Sequence, residues 1–452
     1  MKIIIVGAGK IGGAVADQLS AEGHEITVID NDEQTIYSIS NRLDVICVNG
    51  DATDLYSLKE AGADSADLLI AATEKDETNM ICGIAAGKLG TKHVVARIRD
   101  PKYLGQTGFL REAFGLNFTI NPDYACAEEI ARILKFPSAS HVDNFSRGKL
   151  EIVEYAVPDS GFLCGKKLTE LHAVFGSKIL VTVVDRNGEA IIPDGSFEIR
   201  GGDRLSIVGT ASDIRNFFIT TRDFKRPVKK VMIMGGSRLA VYLTGMLEES
   251  GITVSVSDRN RERCDELTEL LPKTEIIYGD ATDTEVLSEE GIGSCDAFVT
   301  LTGDDGDNIT VSLYAKSRGI NTIITKVTGE NLVSMVRNLG LDSVVTPSAI
   351  ISEQITAYVR AVANSQDSDV EALYYLADGK VEALELSVEA DAECIGVPLK
   401  DLSLKKNLLI AAIIRGDKSI TPNGNTEILP GDHAVIITTN KGIHSINEIL
   451  EK

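Results

Sequence analysis

Residues 2–30 read "KIIIVGAGKIGGAVADQLSAEGHEITVID". "KIIIV" is a short, unbroken apolar run rich in β-branched residues, as expected of a strand buried on both faces of a parallel sheet. Glycines at 7, 9 and 12 follow at once. Ile11, Val15 and Leu19 then recur every four residues, which predicts a helix closed by Gly23. "EITVID" is the next strand and ends on Asp30. Strand, G-x-G-x-x-G, helix and acidic strand end together meet the context that a dinucleotide fingerprint requires. Gly7 would make the tight turn, Gly9 would let the backbone approach a pyrophosphate, and Gly12 would let the helix pack close to the sheet. The helix N-terminus offers free N–H groups and a positive dipole to phosphates. Asp30 suits a ribose 2′-OH and repels a 2′-phosphate, which favours NAD(H) or an adenosine nucleotide over NADP(H).

Outward from this core the alternation continues. "LDVICVNGDAT" holds a third strand, "ADLLIAAT" a fourth and "HVVARI" a fifth, with helical stretches "LYSLKEAGA" and "TNMICGIAAGKLG" between them. Alternating strands and helices with short links predict a Rossmann-like, doubly wound α/β domain. Ligands of such sheets bind along the carboxyl ends of the strands. That edge predicts a first site made of Gly7, Ala8, Gly9, Lys10, Ile11, Gly12, Asp30, Asp51, Ala52, Thr53, Thr73, Glu74 and Arg97. Lys10 and Arg97 are the cations best placed to face phosphates. Strand alternation could aim Arg99 elsewhere.

"GDATD" at 50–54 recurs at 279–283, and its surroundings recur with it. "KVMIMGGSRLAVYLTGMLEESGITVSVSD" ends on Asp258 as the first copy ends on Asp30. "ADLLIAATEKDETN" matches "CDAFVTLTGDDGDN". Further on, "GEAIIPDGSFEIRGGDRLSIVGT" resembles "DKSITPNGNTEILPGDHAVIITT", aligning Pro193 with Pro422 and Asp203 with Asp432. The chain is therefore a tandem duplication of a two-part unit. The second copy predicts a second site at Gly235, Gly236, Ser237, Arg238, Leu239, Asp258, Asp280, Ala281, Thr302 and Lys326. It departs from the first where Gly9 becomes Ser237 and Gly12 becomes Ala240. Serine adds a side chain where a phosphate should approach.

The late part of each copy reads differently. "KLEIVEYAV" alternates as a strand, "GKKLTELHAVFG" is a short helix, and "SKILVTVVDRNGEAII" is a hairpin turning at Asn187-Gly188. "DRLSIVGT" and "ASDIRNFF" close it. The second copy runs from "VEALELSV" through "CIGVPLKDLS" and "NLLIAAIIRGDKSI" to "DHAVIITT". Each is a small α+β domain with no evident catalytic pair. The expected boundaries are 1–137, 140–222, 228–363 and 370–452, four compact units in all.

Composition narrows the function. A net charge of −22 over 452 residues disfavours nucleic acid as a partner. The apolar runs are far shorter than the ~18–20 residues of a membrane span. "MKIIIVGAG" turns to glycine too early for a signal peptide. Seven cysteines without a CxxC pair predict reduced thiols rather than a disulfide framework or zinc finger. The six histidines are scattered, read as structural or surface residues, and show no HxxxH.

The order of glycine fingerprint, acidic strand end, "GDAT", "DETNM", "ARIRDP" and "PDGSFEIRGGDRL" resembles the RCK regulators of potassium conductance. The tandem layout without a span is similar to the cytosolic regulatory subunits of Trk potassium-uptake systems. The resemblance implies RCK-N and RCK-C domains in alternation. It implies NAD(H) and/or ATP/ADP as bound effectors on Gly7 to Gly12, Asp30, Thr73, Glu74 and Arg97. It also implies a homo-oligomer, a dimer or a tetrameric ring, on the inner face of the cell membrane beneath a TrkH-like potassium transporter. Asp123 matches an acidic position that helps some single-RCK relatives hold a divalent cation. Its counterpart in the second copy is Ser348, and no metal is assigned. The competing readings are a stand-alone nucleotide or redox sensor and an NAD-dependent oxidoreductase. The latter needs a proton donor beside the nicotinamide, usually in a unique substrate domain, whereas here every domain is one of a pair. The expectation is a regulator and not an enzyme.

Overall fold

The apolar run at residues 2–6 forms strand β1 (Lys2–Val6), buried along nearly its whole length. It is followed by β2 (Glu25–Asp30), β3 (Ile46–Asn49), β4 (Leu68–Ala71), β5 (His93–Arg97) and β6 (Phe118–Ile120). All pair in parallel in the order β3-β2-β1-β4-β5-β6. The sheet reverses direction of growth between β1 and β4, so the glycine loop leaves β1 at the switch point where a crevice opens. The last strand has only three residues and was not among the strands expected from sequence. Too short to show a period, it becomes a strand by pairing with β5 through Val95, Ala96 and Arg97.

The computed structural model describes residues 1–104, 106–135, 141–145, 150–175, 178–221, 228–280, 282–283, 287, 289, 292–341, 343–364, 369–377, 380–416 and 418–451. Of the expected boundaries, positions 137, 140, 222 and 452 lie outside these residues, as does the predicted site residue Ala281.

The first late part holds β7 (His141–Phe145), β8 (Leu150–Ala156), β9 (Ile179–Arg186), β10 (Glu189–Ile191) and β11 (Arg204–Gly209), an antiparallel sheet in the order β10-β9-β11-β8-β7. The hairpin turns at Asn187 and Gly188, both with positive φ (55° and 82°), as a two-residue turn between right-twisted strands requires. The second copy repeats both designs. Strands β12 (Lys230–Met234), β13 (Thr253–Asp258), β14 (Glu275–Tyr278), β15 (Ala297–Thr300), β16 (Thr322–Lys326) and β17 (Ser343–Val345) form a parallel sheet ordered β14-β13-β12-β15-β16-β17. Strands β18 (Val370–Leu376), β19 (Val381–Ser387), β20 (Leu408–Arg415), β21 (Lys418–Ile420) and β22 (His433–Thr438) form the last antiparallel sheet.

The two copies do not fold as separate halves. One compact unit joins Met1–Ala131 with Val228–Thr356, and the other joins Arg132–Pro227 with Ala357–Lys452. Like parts pair with like. In the second unit the two antiparallel sheets share one apolar core, in which Ile152, Val183 and Val208 pack with Ala383, Ala412 and Val435. In the first unit Tyr242 is the wedge between copies. Its hydroxyl donates to the Arg99 carbonyl (3.1 Å), receives Asn121 Nδ2 (3.1 Å), and its ring meets Tyr124 edge-on at 5.5 Å. Among the described residues no helix is long and apolar enough to cross a membrane.

Candidate functional site

The first cleft is built on three glycines with different duties. Gly7 has φ +89°, and a Cβ there would lie 2.9 Å from the Thr73 backbone nitrogen. A Cβ on Gly12 would stand 1.8 Å from the Gly7 carbonyl oxygen, so the helix Lys10–Ala21 can lie this close to the loop only without a side chain. A Cβ on Gly9 would meet no atom within 4 Å. Packing explains two glycines, and it leaves the third facing open space at a helix N-terminus whose cap has no side-chain bond. That is where an anion has room and free N–H groups.

Asp30 anchors the loop as well as facing it. Its carboxylate accepts from the Ala8 N–H at 2.7 Å and the Asp32 N–H at 2.9 Å. A carboxylate has about four acceptor positions, so two remain for hydroxyl donors. Asp51 accepts both the N–H and the hydroxyl of Thr53 at 2.8 Å, and these bonds hold its carboxyl below the usual range. Ala52 is buried between them, while Asp51, Thr53 and Glu74 are exposed. Ile11 is half-buried at the helix start.

Thr73 is fixed by a residue that the site reading passed over. Asn79, fully buried, accepts the Thr73 N–H (2.9 Å) and hydroxyl (2.6 Å) on Oδ1 and donates Nδ2 to the carbonyls of Thr73 (3.0 Å) and Arg97 (2.9 Å). One amide thus ties the ends of β4 and β5. Asn308 repeats all four bonds with Thr302 and Lys326. The signal was present in the sequence: both asparagines end the matched segments "ATEKDETN" and "LTGDDGDN".

The cations sit less simply than strand position suggests. Arg97 is only 8% exposed, and one guanidinium nitrogen donates to the carbonyls of Ala72 and Thr73 at 3.2 Å each. Its Nε is buried without a partner. Burial above all, and then Arg99, push its pKa down, against the pull of Asp123, Asp76 and Glu74. The Arg97 charge lies at the Ala72 and Thr73 carbonyls, beside the Gly7 turn, which favours an anionic ligand at this edge. Lys10 instead crosses to the other copy, where Nζ donates to Thr328 Oγ1 at 3.1 Å. Thr328 in turn bonds the carboxylate of Asp305, which opens the helix Asp305–Ser317 of the second cleft. Burial raises the Asp305 pKa, but the N–H groups of Thr328 and Gly329, the Thr328 hydroxyl and Lys10 outweigh it and leave the carboxyl below the ordinary range. Arg99 pairs with Asp123 (2.8 Å), so Asp123 already carries a cation of this chain.

The second cleft is a cavity of about 580 Å³ lined by Gly235, Gly236, Ser237, Asp258, Asp280 and Thr302 of the predicted set, together with Arg259 and Arg263. Asp258 holds the Gly236 N–H at 2.7 Å, as Asp30 holds Ala8. Ser237 lines this opening and also makes a bond within the chain. It caps the helix Arg238–Glu249, its Oγ accepting the Ala240 N–H at 3.3 Å, and so uses a donor that the first cleft leaves free. Leu239 is buried in the core, so only its backbone can face a ligand. Arg238 is exposed, and its charge is felt at Asp100. Lys326 packs as Arg97 does, Nζ donating to the Leu301 carbonyl at 3.3 Å, with its pKa lowered by burial. Sequence missed Arg259 and Arg263 because the first copy has Asn31 and Thr35 there.

Fold and clefts together define a class: a chain of two Rossmann-like domains, each followed by a small antiparallel domain, with glycine-loop crevices at both switch points. The TrkA-N domain family matches residues 3–122 and 231–347, and the TrkA-C domain family matches 152–218 and 383–451. The "Trk system potassium uptake protein TrkA homolog" of Archaeoglobus fulgidus is 31% identical over 99% of this chain and all of its own length. The "Trk system potassium uptake protein TrkA" of Halomonas elongata is 31% identical over 98% of this chain and 96% of its own. The chain belongs to this TrkA family. Among solved structures, the GsuK channel superposes with a TM-score of 0.67 at 18% identity, over 97% of this chain and 77% of that one, which establishes the likeness of fold.

Proposed function

We propose that this chain is a nucleotide-responsive regulatory subunit of a potassium-uptake system. It assembles as a homo-oligomer, a dimer or a tetrameric ring, on the cytoplasmic face of a TrkH-like membrane potassium transporter and gates it. It binds its effectors without turning them over. The observation that carries this reading is the junction of the two clefts in one unit. Lys10, from the first glycine loop, bonds Thr328, and Thr328 bonds Asp305, the first residue of the helix whose N-cap, Asp304, lines the second cavity. A phosphate arriving at the first loop competes for Lys10, so occupancy of one cleft changes the charge balance at the other. The full-length likeness to potassium-uptake proteins supports the transport role. NAD(H), ATP and ADP are the effectors proposed, and a GsuK channel bound to NAD and a GsuK bound to ADP share the fold.

In the first cleft Gly7 to Gly12 and Arg97 would hold phosphates, and Asp30 would hold a ribose hydroxyl. Asp51, Ala52, Thr53, Thr73 and Glu74 would line the rest. A nucleotide shifts gating only if it binds the open and closed assemblies differently, and by linkage the transporter then alters nucleotide affinity by the same factor. The test titrates ATP, ADP, NAD+ and NADH into the oligomer with and without the membrane subunit in vesicles, reading ion flux. At least two ligands should act in opposite directions, and Lys10→Ala should blunt the difference. Flux indifferent to every nucleotide would refute the reading, and turnover of NADH would favour the oxidoreductase instead.

A further inference from the structure

The last antiparallel sheet carries a cluster that is not found among the described residues of its duplicate. Strands β22 and β19 pair so that His433 lies opposite Ser387 and Glu385 lies opposite Val435. On the far side of β19, the pairing with β18 slips between Val370 and Ala372, which makes Glu371 the extra residue of a bulge. Bulges re-aim side chains, and this one brings Glu371 to the same spot. His433 Nδ1 lies 3.0 Å from a Glu371 oxygen and 3.7 Å from a Glu385 oxygen, and all three ligand atoms fall within 4.8 Å of one another. Despite the short distances Nδ1 makes no well-aligned hydrogen bond, and the atom itself is buried from solvent. Glu385 is 6% exposed.

The first copy shows what changed. Its matching strands β11 and β8 pair in the same register, with Arg204 opposite Ala156. Arg204 therefore stands where His433 stands, and its guanidinium is bound to Asp185 at 2.9 Å. A permanent cation has been exchanged for an imidazole, and a carboxylate has been delivered by a bulge. A tetrahedral ion with bonds of about 2.0–2.2 Å sets its ligand atoms roughly 3.3–3.6 Å apart, between the two distances to Nδ1 found here. One imidazole with two carboxylates is a borderline donor set. It suits Zn²⁺ and its first-row neighbours, whereas Mg²⁺ and Ca²⁺ call for oxygen alone.

We propose that Glu371, Glu385 and His433 form a binding site for one divalent transition-metal ion, Zn²⁺ being the best fit. The ion would tie β18 to β22 across β19. Solvent completes its coordination on the exposed side of Glu371.

The test uses the full chain, stripped with chelator and carrying Cys164→Ser to remove its exposed thiol. Zn²⁺ binding is followed by calorimetry, and Co²⁺ binding by its visible absorption. One saturable site per chain is expected, unaffected by millimolar Mg²⁺. His433→Arg, which installs the first copy's residue, and Glu371→Gln, at a half-exposed position, should each weaken binding at least tenfold while circular dichroism stays unchanged. Absence of a saturable Zn²⁺ site, or affinity unchanged in both variants, would overturn the proposal.

Discussion

Replacing Gly9 with serine separates a structural glycine from a ligand-facing one. The backbone at Gly9 (φ −67°, ψ −165°) is already that of Ser237 (φ −68°, ψ 170°), so serine adds no strain. Its Cβ would meet nothing within 4 Å. Its hydroxyl would cap the helix as Ser237 does, accepting the N–H of Gly12. Serine over glycine at an N-cap is worth a few tenths of a kcal/mol, so the melting temperature should hold or rise slightly. The same bond removes a donor from the phosphate. Losing one charge-assisted hydrogen bond costs about 1.5–3 kcal/mol, or roughly 10- to 150-fold in affinity. Calorimetry with ADP and NADH at the first cleft reads the change, and thermal denaturation reads the fold. The reciprocal Ser237→Gly should raise affinity at the second cleft by a similar factor. Unchanged nucleotide affinity in Gly9→Ser would show that no phosphate sits at this helix start. A large drop in melting temperature would show that the glycine is there for packing after all.

Two further expectations concern the late domains. Asp203, 1% exposed, accepts two bonds from Arg186 at 2.8 Å and the Arg200 N–H at 2.8 Å, as Asp432 does with Arg415 and Leu429. Asp203→Ala should cost about 2–4 kcal/mol in denaturant melts, less than a fully buried pair because Arg186 keeps part of its guanidinium in water. Burial raises the Asp203 pKa, but the Arg186 bonds and the Arg200 N–H outweigh it and hold the carboxyl below the ordinary value. Its stabilisation is therefore present above about pH 4 and is lost as pH falls through the lower folded value; a melt insensitive to acid would refute this. Glu151 has the opposite sign. Burial lifts it to about 6, against Lys135 and Arg132, and its Oε2 has no partner. The folded state holds its proton more tightly, so stability falls as pH rises between about 4.5 and 6. Glu151→Gln should gain about 1 kcal/mol above pH 6 after allowance for solvent screening, and nothing below pH 4; equal melts at pH 7 would count against it.

The Glu151 case shows how duplicates diverge in ways that only the folded structure exposes. Its counterpart Glu382 meets Arg360 at 3.2 Å, whereas the first copy has Lys135 at the matching helix position and closes no such pair with Glu151.

The sequence by itself determined the duplication, the first five parallel strands and the turns, because burial on both faces, helical period and glycine spacing are local properties that leave a local trace. It also located the glycine loops, Asp30 and Asp258, and it held, unread, the repeated Asn79 and Asn308. The tertiary structure decided what each side chain faces. Arg97 and Lys326 lie under the strand ends because a long cation at a buried terminus must satisfy itself on the neighbouring strand's carbonyls. Lys10 reaches Thr328 because the two early parts pack together, a contact between residues far apart in the chain that no period announces. Ser237 became a helix cap because backbone direction at the loop aimed its hydroxyl at the Ala240 N–H. Glu371, Glu385 and His433 met only through a slip of strand register, which shifts one residue among its neighbours and leaves no mark in the spacing of the sequence.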